Sequence, residues 1–138
     1  MTQRDICDFI WLRYSPMRVN YIEDIVKWYD SNKLLGVATD GGAIAGAGMI
    51  RITKNKEDGA TDYKHDADGD IFWIDLAIAD TKEALATMIY MLWDTHGKKP
   101  YIAYERKLRG KNAVIFPSRL LDKMLSKCVT AGLATHRS

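Results

Sequence analysis

The stretch from Asp70 to Gly97 reads DIFWIDLAIADTKEALATMIYMLWDTHG, and its hydrophobic pattern decides the fold. Residues 70–79 are apolar except at the first position and at Asp75, and isoleucines and aromatic residues predominate, as in a strand covered on both faces. After Asp80 the apolar residues recur at helical spacing, at Leu85, Met88, Ile89, Leu92 and Trp93. The sequence therefore predicts a buried strand that passes through a tight turn into a helix.

Shorter patterns on either side of this stretch predict the other elements. Helices are expected over residues 2–14, 20–32 and 81–96, and from residue 117 onward. Strands are expected over residues 34–39, 43–53, 71–78, 100–106 and 113–116, with a hairpin turn at Asp40-Gly41-Gly42 between the first two. Helix caps are expected at Thr2, Asn20 and Asp80, each followed three positions later by an acidic residue.

These elements predict one domain of the α/β class (α+β) over residues 1–138, in which helices flank a mixed, largely antiparallel central sheet. The polar segment 54–69 is expected to be an exposed loop, and residues 129–138 a frayed tail. The tryptophans lie at positions expected to face the core, namely Trp11, Trp28, Trp73 and Trp93.

Charge is distributed unevenly along the chain. Residues 1–97 carry 10 basic against 16 acidic residues, whereas residues 98–138 carry 10 against 2. Six of these basic residues lie between Lys98 and Lys111. A basic segment of this kind favours an anionic partner: a phosphate-bearing cofactor, a nucleic acid or an acidic protein. The alternative is that folding brings the acidic residues 1–97 and the basic residues 98–138 together and partly cancels the difference in charge.

Composition favours a globular, cytoplasmic protein. The chain is 47% hydrophobic and 28% charged, and its apolar runs are well short of the roughly 20 residues needed to cross a bilayer. The first residues, MTQRDICDFIW, contain acidic side chains where a signal peptide needs an apolar core. Cys7 and Cys128 match neither a disulfide framework nor a metal motif, so we expect reduced cysteines and no metal site.

The predicted order of elements resembles the GNAT (N-acetyltransferase) superfamily over roughly residues 18–128. That order is two helices, a hairpin, a long buried strand, a helix, a strand, a short strand and a last helix. The resemblance implies that the central strand and the helix after it hold the donor, acetyl-coenzyme A or another acyl thioester. It also implies transfer of the acyl group to an amine.

The pyrophosphate loop of that family, Arg/Gln-x-x-Gly-x-Gly/Ala, falls on residues 81–86, which read TKEALA. Backbone N–H groups at the start of a helix bind phosphate in such a loop. The basic turn around residue 110 is expected to add further phosphate contacts. By this resemblance, the residues expected to contact the acyl donor are Leu76, Ala77, Ile78, Thr81, Lys82, Ala84, Leu85, Arg106, Arg109 and Lys111.

A second resemblance is local. Residues 69–79, GDIFWIDLAIA, are similar to the Gly-Asp-x-x-Trp-x-x-Asp-x-Ile-Ala stretch of the toxin-activating lysine acyltransferases. Those enzymes are a GNAT-like branch that takes its acyl group from acyl carrier protein. With a shift of one residue, the second aspartate of that motif falls on Asp75. The catalytic histidine of those enzymes would fall within residues 14–20, which contain no histidine.

Asp75 and two tyrosines are the candidate catalytic residues. On its predicted face, Asp75 has Ile71, Trp73, Ala77 and Ala79 as neighbours, and a carboxylate in such surroundings can serve as general base for a substrate amine. The structural alternative is a buried aspartate paired with Arg51, with Arg106 or with a backbone N–H. Tyr101 or Tyr104 of the next strand could protonate a thiolate leaving group, although strand tyrosines also serve as packing residues.

Two functions therefore remain open at the level of the sequence. The strand, turn and helix around Asp75 favour an acyltransferase. The alternative is a catalytically inactive GNAT-like binding or structural module, compact enough to be phage-encoded, whose basic C-terminal third binds nucleic acid or an acidic partner. Thr81 and Ala84 in the pyrophosphate loop, together with the missing histidine, favour that alternative.

Overall fold

A computed structural model describes residues 1–105 and 113–128 and, for residues 134–137, the course of the backbone. Its helices are α1 Gln3–Arg13, α2 Ile22–Ser31, α3 Lys56–Gly59, α4 Lys82–His96 and α5 Ser118–Leu125, and a 3₁₀ turn covers Ser15–Met17. Its strands are β1 Leu35–Asp40, β2 Ala43–Thr53, β3 Ile71–Ala79, β4 Tyr101–Glu105, β5 Ala113–Pro117 and β6 Ala134–Arg137.

The strands form one sheet in the order β5-β4-β3-β2-β1-β6. Neighbouring strands are antiparallel except for β3 and β4, which are parallel. A parallel pair needs a crossover connection, and α4 supplies it between β3 and β4. The predicted fold class, a mixed and largely antiparallel sheet with flanking helices, is confirmed.

Helices cover both faces of the sheet at its centre. A methyl group added at Gly48 of β2 would lie 2.7 Å from Sδ of Met88, so the glycine permits α4 to pack closely on that face. Arg51, three residues further along β2, points to the other face, because side chains alternate along a strand. There its partner Asp75 accepts a hydrogen bond from Tyr29 of α2. The prediction that β3 lies buried between two layers is therefore confirmed for residues 71–73 and for Leu76, whereas Ala77 is exposed.

The predicted cap of α1 is confirmed, but that of α2 is wrong. The N–H of Asp5 donates to Oγ1 of Thr2, and the N–H of Thr2 donates to Oδ2 of Asp5, which completes a capping box. Helix α2 instead begins two residues later than expected, with Tyr21 at the N-cap and no side-chain cap. The expected partner Glu23 forms an ion pair with Arg4 of α1 at 2.7 Å.

The predicted cap of α4 is also displaced. Oγ1 of Thr81, not the carboxylate of Asp80, accepts a hydrogen bond from the N–H of Ala84. Asp80 is bound to Arg13 by two hydrogen bonds, of 2.8 and 3.0 Å. The Arg13 guanidinium lowers the pKa of the Asp80 carboxyl below its usual value. Glu23 and Asp80, the two carboxylates expected to act in the caps of α2 and α4, are thus both bound by arginines of α1.

Two segments are more ordered than expected. Residues 54–69 are mostly exposed, yet they contain α3, and the buried Gly59 lies against the ring of Trp73. Residues 134–137, expected to belong to a frayed tail, extend the sheet as β6 and pair with β1. The tail pairs with β1 because that strand would otherwise leave a row of backbone donors and acceptors without partners.

Three of the four tryptophans match the prediction of core packing. Trp73 and Trp93 are buried, and Trp28 packs partly buried against the core. Trp11 does not, because it lies on the outward side of α1 with 40% of its surface exposed.

Candidate functional site

Strands β3 and β4 pair over only part of their length. Residues 71–74 of β3 lie opposite residues 101–104 of β4, and β4 ends at Glu105. Beyond this point β3 runs on to Ala79 and remains paired with β2 on its other side. In the part of the chain that the structure describes, β3 therefore has an open edge over residues 75–79, about 16 Å long.

An apolar cavity of about 360 Å³ lies where the pairing of the two strands ends. It is lined by Tyr14 after α1, by residues 74–78 of β3, by Leu85 and Ile89 of α4, by Tyr104 and Glu105 of β4 and by Leu121 of α5. Small-molecule sites usually have this form, a mostly apolar hollow with a few polar groups that set orientation.

The cavity brings together much of the predicted site. Four of the predicted donor contacts line it, namely Leu76, Ala77, Ile78 and Leu85. Two of the three candidate catalytic residues, Asp75 and Tyr104, line it as well. Tyr101 does not, since it lies at the opposite end of β4 with 46% of its surface exposed. The structure thus separates the two tyrosines that the sequence left equivalent.

The start of α4 is less suited to binding a phosphate group than the resemblance implies. The N–H of Ala84 already donates to Oγ1 of Thr81 at 3.1 Å, and Ala84 itself is fully buried. Lys82 is exposed at the first position of the helix. Neither Thr81, Lys82 nor Ala84 lines the cavity.

The basic segment is described only in part. Arg106, Arg109 and Lys111, like Lys107, lie outside the described residues. Lys98 forms an ion pair with Asp122 and lies 5.5 Å from the ring centre of Trp93. Lys99 donates to the carbonyl oxygen of Ala67 at 3.0 Å. The two lysines of this segment that the structure describes therefore already have partners within the protein.

Asp75 is an extra residue in the pairing of β3 with β2. Ile74 lies opposite Ile50 and Leu76 lies opposite Met49, so no residue of β2 lies opposite Asp75. This is a β-bulge, which changes the face on which the following side chains lie. Bulges often occur beside functional sites, where they re-aim a side chain.

Because of the bulge, the surroundings of Asp75 differ from those predicted. Ala77 pairs with Gly48, the glycine that faces Met88 of α4. Asp75 points to the opposite face, where it contacts α2. The prediction that Asp75 shares a face with Ala77 and Ala79 is therefore wrong, because the extra residue reverses the alternation between them.

The carboxylate of Asp75 is held by three hydrogen bonds. Oδ2 accepts from Nε of Arg51 at 2.7 Å and from the hydroxyl of Tyr29 at 2.7 Å, and Oδ1 accepts from Nη2 of Arg51 at 2.8 Å. The predicted structural pairing of Asp75 with Arg51 is confirmed. Burial raises the pKa of Tyr29, and the neighbouring carboxylate raises it further, so the hydroxyl stays protonated and donates.

The other side of Arg51 holds the loop after α3. Its Nη1 donates to the carbonyl oxygens of Thr61 at 2.6 Å and Lys64 at 3.1 Å, and its Nη2 donates to that of Gly59 at 2.6 Å. Arg51 is 3% exposed, and the five N–H donors of its guanidinium all have acceptors. A single arginine in the apolar run of β2 was the sequence signal for this role. Tyr29 had no such signal, because its spacing matched the apolar face of α2.

Neither a membrane span nor a metal centre is seen in the described part of the chain. None of the helices there has the length and apolar character needed to cross a bilayer. Histidine, cysteine and acidic side chains do not come together there in a group of three that could hold a metal ion.

Comparison with known proteins gave no relative. The chain matches no family model, no curated protein and no solved structure.

Proposed function

We propose that the protein binds an acyl thioester in the cavity between β3 and β4 and transfers the acyl group to an amine. The observation that carries this proposal is the edge of β3 over residues 75–79, which no described residue of β4 pairs and which lies beside an apolar cavity. A free strand edge and an apolar hollow are complementary to different parts of one ligand, so their placement together favours a molecule with both an extended polar arm and an apolar group.

Acyl thioester donors have these two parts. The arm that carries the thioester in coenzyme A and in acyl carrier protein contains amide groups, which can pair with a strand edge as an added strand does. The acyl chain would then lie against Leu76, Ile78 and Leu85, where burial of its methylene groups is favourable.

The reaction needs two proton transfers at the cavity. The donor supplies an activated carbonyl, and the new N–C bond forms while the C–S bond breaks. Tyr104 would give the hydroxyl proton to the departing sulfur, since it lines the cavity and phenols can act as general acids. Asp75, which also lines the cavity, would receive the proton of the amine.

The test compares two tyrosines of one strand. The purified protein is titrated with acetyl-coenzyme A and with a long-chain acyl carrier protein, and thiol release is followed in the presence of an amine. Tyr104→Phe is expected to lower kcat about 100-fold, because general acid catalysis contributes at least that factor, and to leave the Kd for the thioester unchanged. Tyr101→Phe is the matched control and should change neither quantity. A failure of both donors to bind, or an unchanged kcat in Tyr104→Phe, would overturn the proposal.

A second candidate is a binding module without catalysis. The observation that favours it is the engagement of Asp75 with Arg51 and Tyr29, which gives the carboxylate a structural role. The basic C-terminal third of the protein would then bind nucleic acid or an acidic protein. Changing Arg106, Lys107, Arg109 and Lys111 together to Gln should reduce binding of whichever phosphate-bearing ligand is recognised, and that binding should weaken as salt rises. Loss of coenzyme A binding alone supports the acyltransferase, and loss of nucleic acid binding alone supports the module.

A further inference from the structure

A second cavity lies on the face of the sheet that α2 covers, between that helix and the loop after α3. Its volume is about 230 Å³. It is lined by Tyr21, Ile25, Tyr29, Arg51, Asp62, Tyr63 and Asp75. It is therefore bordered mainly by aromatic rings and charged groups, unlike the apolar cavity at the other side of Asp75.

Aromatic rings form the rim of this second cavity. Tyr21 is 58% exposed and Tyr63 is 47% exposed, although tyrosine rings bury favourable apolar surface when they can. The ring of Tyr63 lies 4.7 Å from that of Trp28 and 6.4 Å from that of Tyr29, measured between centres. Tyr63 is thus held in place by aromatic neighbours while a large part of its ring faces solvent.

The backbone of Tyr63 is strained. Its φ is 60°, a left-handed conformation that a residue with a bulky side chain rarely adopts. The carbonyl groups of Thr61 and Lys64, on either side of it, both accept hydrogen bonds from Arg51, which keeps the loop in this conformation. Strain that is maintained by buried contacts tends to occur where a side chain must be presented for function.

The charges of the cavity select against an anion. Arg51 and Asp75 form an ion pair, and the five N–H donors of Arg51 are all used within the protein. Asp62 leaves the lining with a net negative charge. An incoming ligand therefore meets aromatic surface and carboxylate oxygens.

We propose that this cavity binds an organic cation, an ammonium group in contact with the rings of Tyr21 and Tyr63 and with the carboxylate of Asp62. A cation over an aromatic ring is attracted by the negative face of the ring, and a nearby carboxylate adds to that attraction. The inference concerns binding alone and holds whether or not the protein transfers acyl groups.

The experiment compares a cation with its uncharged counterpart. Choline and 3,3-dimethyl-1-butanol have nearly the same shape, but only choline is charged, so titration of the protein with each by NMR isolates the effect of charge. Butylammonium provides a second arm, which distinguishes a site for methylated ammonium from one for primary amines. We expect choline or butylammonium to bind at least about fivefold more tightly than the alcohol. Equal affinity for the cations and the alcohol, or no shift at this cavity with any of them, would overturn the proposal.

Variants separate the role of the ring from that of the fold. Tyr63→Leu should weaken cation binding about fivefold, because it removes the aromatic face, whereas Tyr63→Phe should retain it. Asp62→Asn should weaken binding and reduce its dependence on salt. Tyr101→Leu, an exposed tyrosine outside this cavity, is the control and should bind as the wild type does. Equal binding by Tyr63→Leu and Tyr63→Phe would contradict a role for the ring.

Discussion

Replacement of Asp75 with asparagine is expected to destabilise the fold. Both carboxylate oxygens accept hydrogen bonds from Arg51, and one also accepts from Tyr29. Asparagine has nearly the same shape, but it can accept with only one oxygen, and its NH₂ group would then point at an N–H donor of Arg51. The guanidinium would also keep its charge in a buried position without a counter-ion.

The size of the effect follows from the burial of the pair. Removal of one partner from a buried ion pair costs about 3–5 kcal/mol. The side chain of Arg51 is 4% exposed and that of Asp75 is 20% exposed, so we expect a loss near the lower limit, about 3 kcal/mol. For a domain of this length, that loss corresponds to a fall in Tm of roughly 10 °C. The variant should still fold, since domains are stable by about 5–15 kcal/mol.

Urea unfolding followed by tryptophan fluorescence measures this loss. Asp8→Asn is the matched control, because the Arg4–Asp8 pair is 70% and 56% exposed and such surface pairs contribute little, about 1 kcal/mol at most. A free energy of unfolding for Asp75→Asn within about 0.5 kcal/mol of the wild type would refute the structural reasoning. If turnover were lost at the same time, the result would identify Asp75 as the general base.

Three further predictions test the packing around the site. Gly59→Ala should destabilise the fold by about 1–3 kcal/mol and increase proteolysis of residues 54–69, because a methyl group there would lie 2.1 Å from the ring of Trp73; an unchanged Tm would contradict that contact. Burial lowers the pKa of His65 below its usual 6.5, so the folded protein should lose stability as pH falls from that value, and His65→Asn should lose less in the same titration. Thr81→Ala should cost about 1 kcal/mol by loss of the α4 cap, measured by urea unfolding, and an unchanged free energy of unfolding would contradict that role of Thr81.

The parts of the fold that depend on local sequence could be predicted. The change from a continuous apolar run to helical spacing at Asp80 located β3 and α4, and most of the cavity lining comes from these two adjacent elements. The lining from Tyr14 and Leu121 could not be placed in the same way, since both residues are distant in sequence from β3. The caps of α2 and α4 were misplaced for a related reason, because arginines of α1 bind Glu23, the expected partner of the Asn20 cap, and Asp80, the expected cap of α4.

The bulge at Asp75 left no signal in the composition of β3. One additional residue reverses which side chains share a face, and nothing in the apolar run shows where it is inserted. The aromatic cavity was missed because Tyr21 and Tyr29 come from one segment and Tyr63 from another, and only tertiary contacts, those of Arg51 and of the aromatic rings, bring the two together. Arg51 itself was one of the three partners predicted for Asp75, with Arg106 and a backbone N–H as the others, since a charge in a buried strand requires a partner.

The most direct test of the central claim is the affinity of the protein for acyl-coenzyme A donors of increasing chain length. Ala77 lines the cavity and is exposed, so Ala77→Phe should fill the space for the acyl chain without disturbing the core. Ala67→Phe, at an exposed position outside the cavity, is the matched control. From acetyl- through butanoyl- to hexanoyl-coenzyme A, calorimetry should show affinity that rises by about fourfold per methylene group in the wild type and in Ala67→Phe. Ala77→Phe should lose this dependence. An affinity that does not change with chain length in the wild type, or an unaltered dependence in Ala77→Phe, would contradict the assignment of the cavity to the acyl chain.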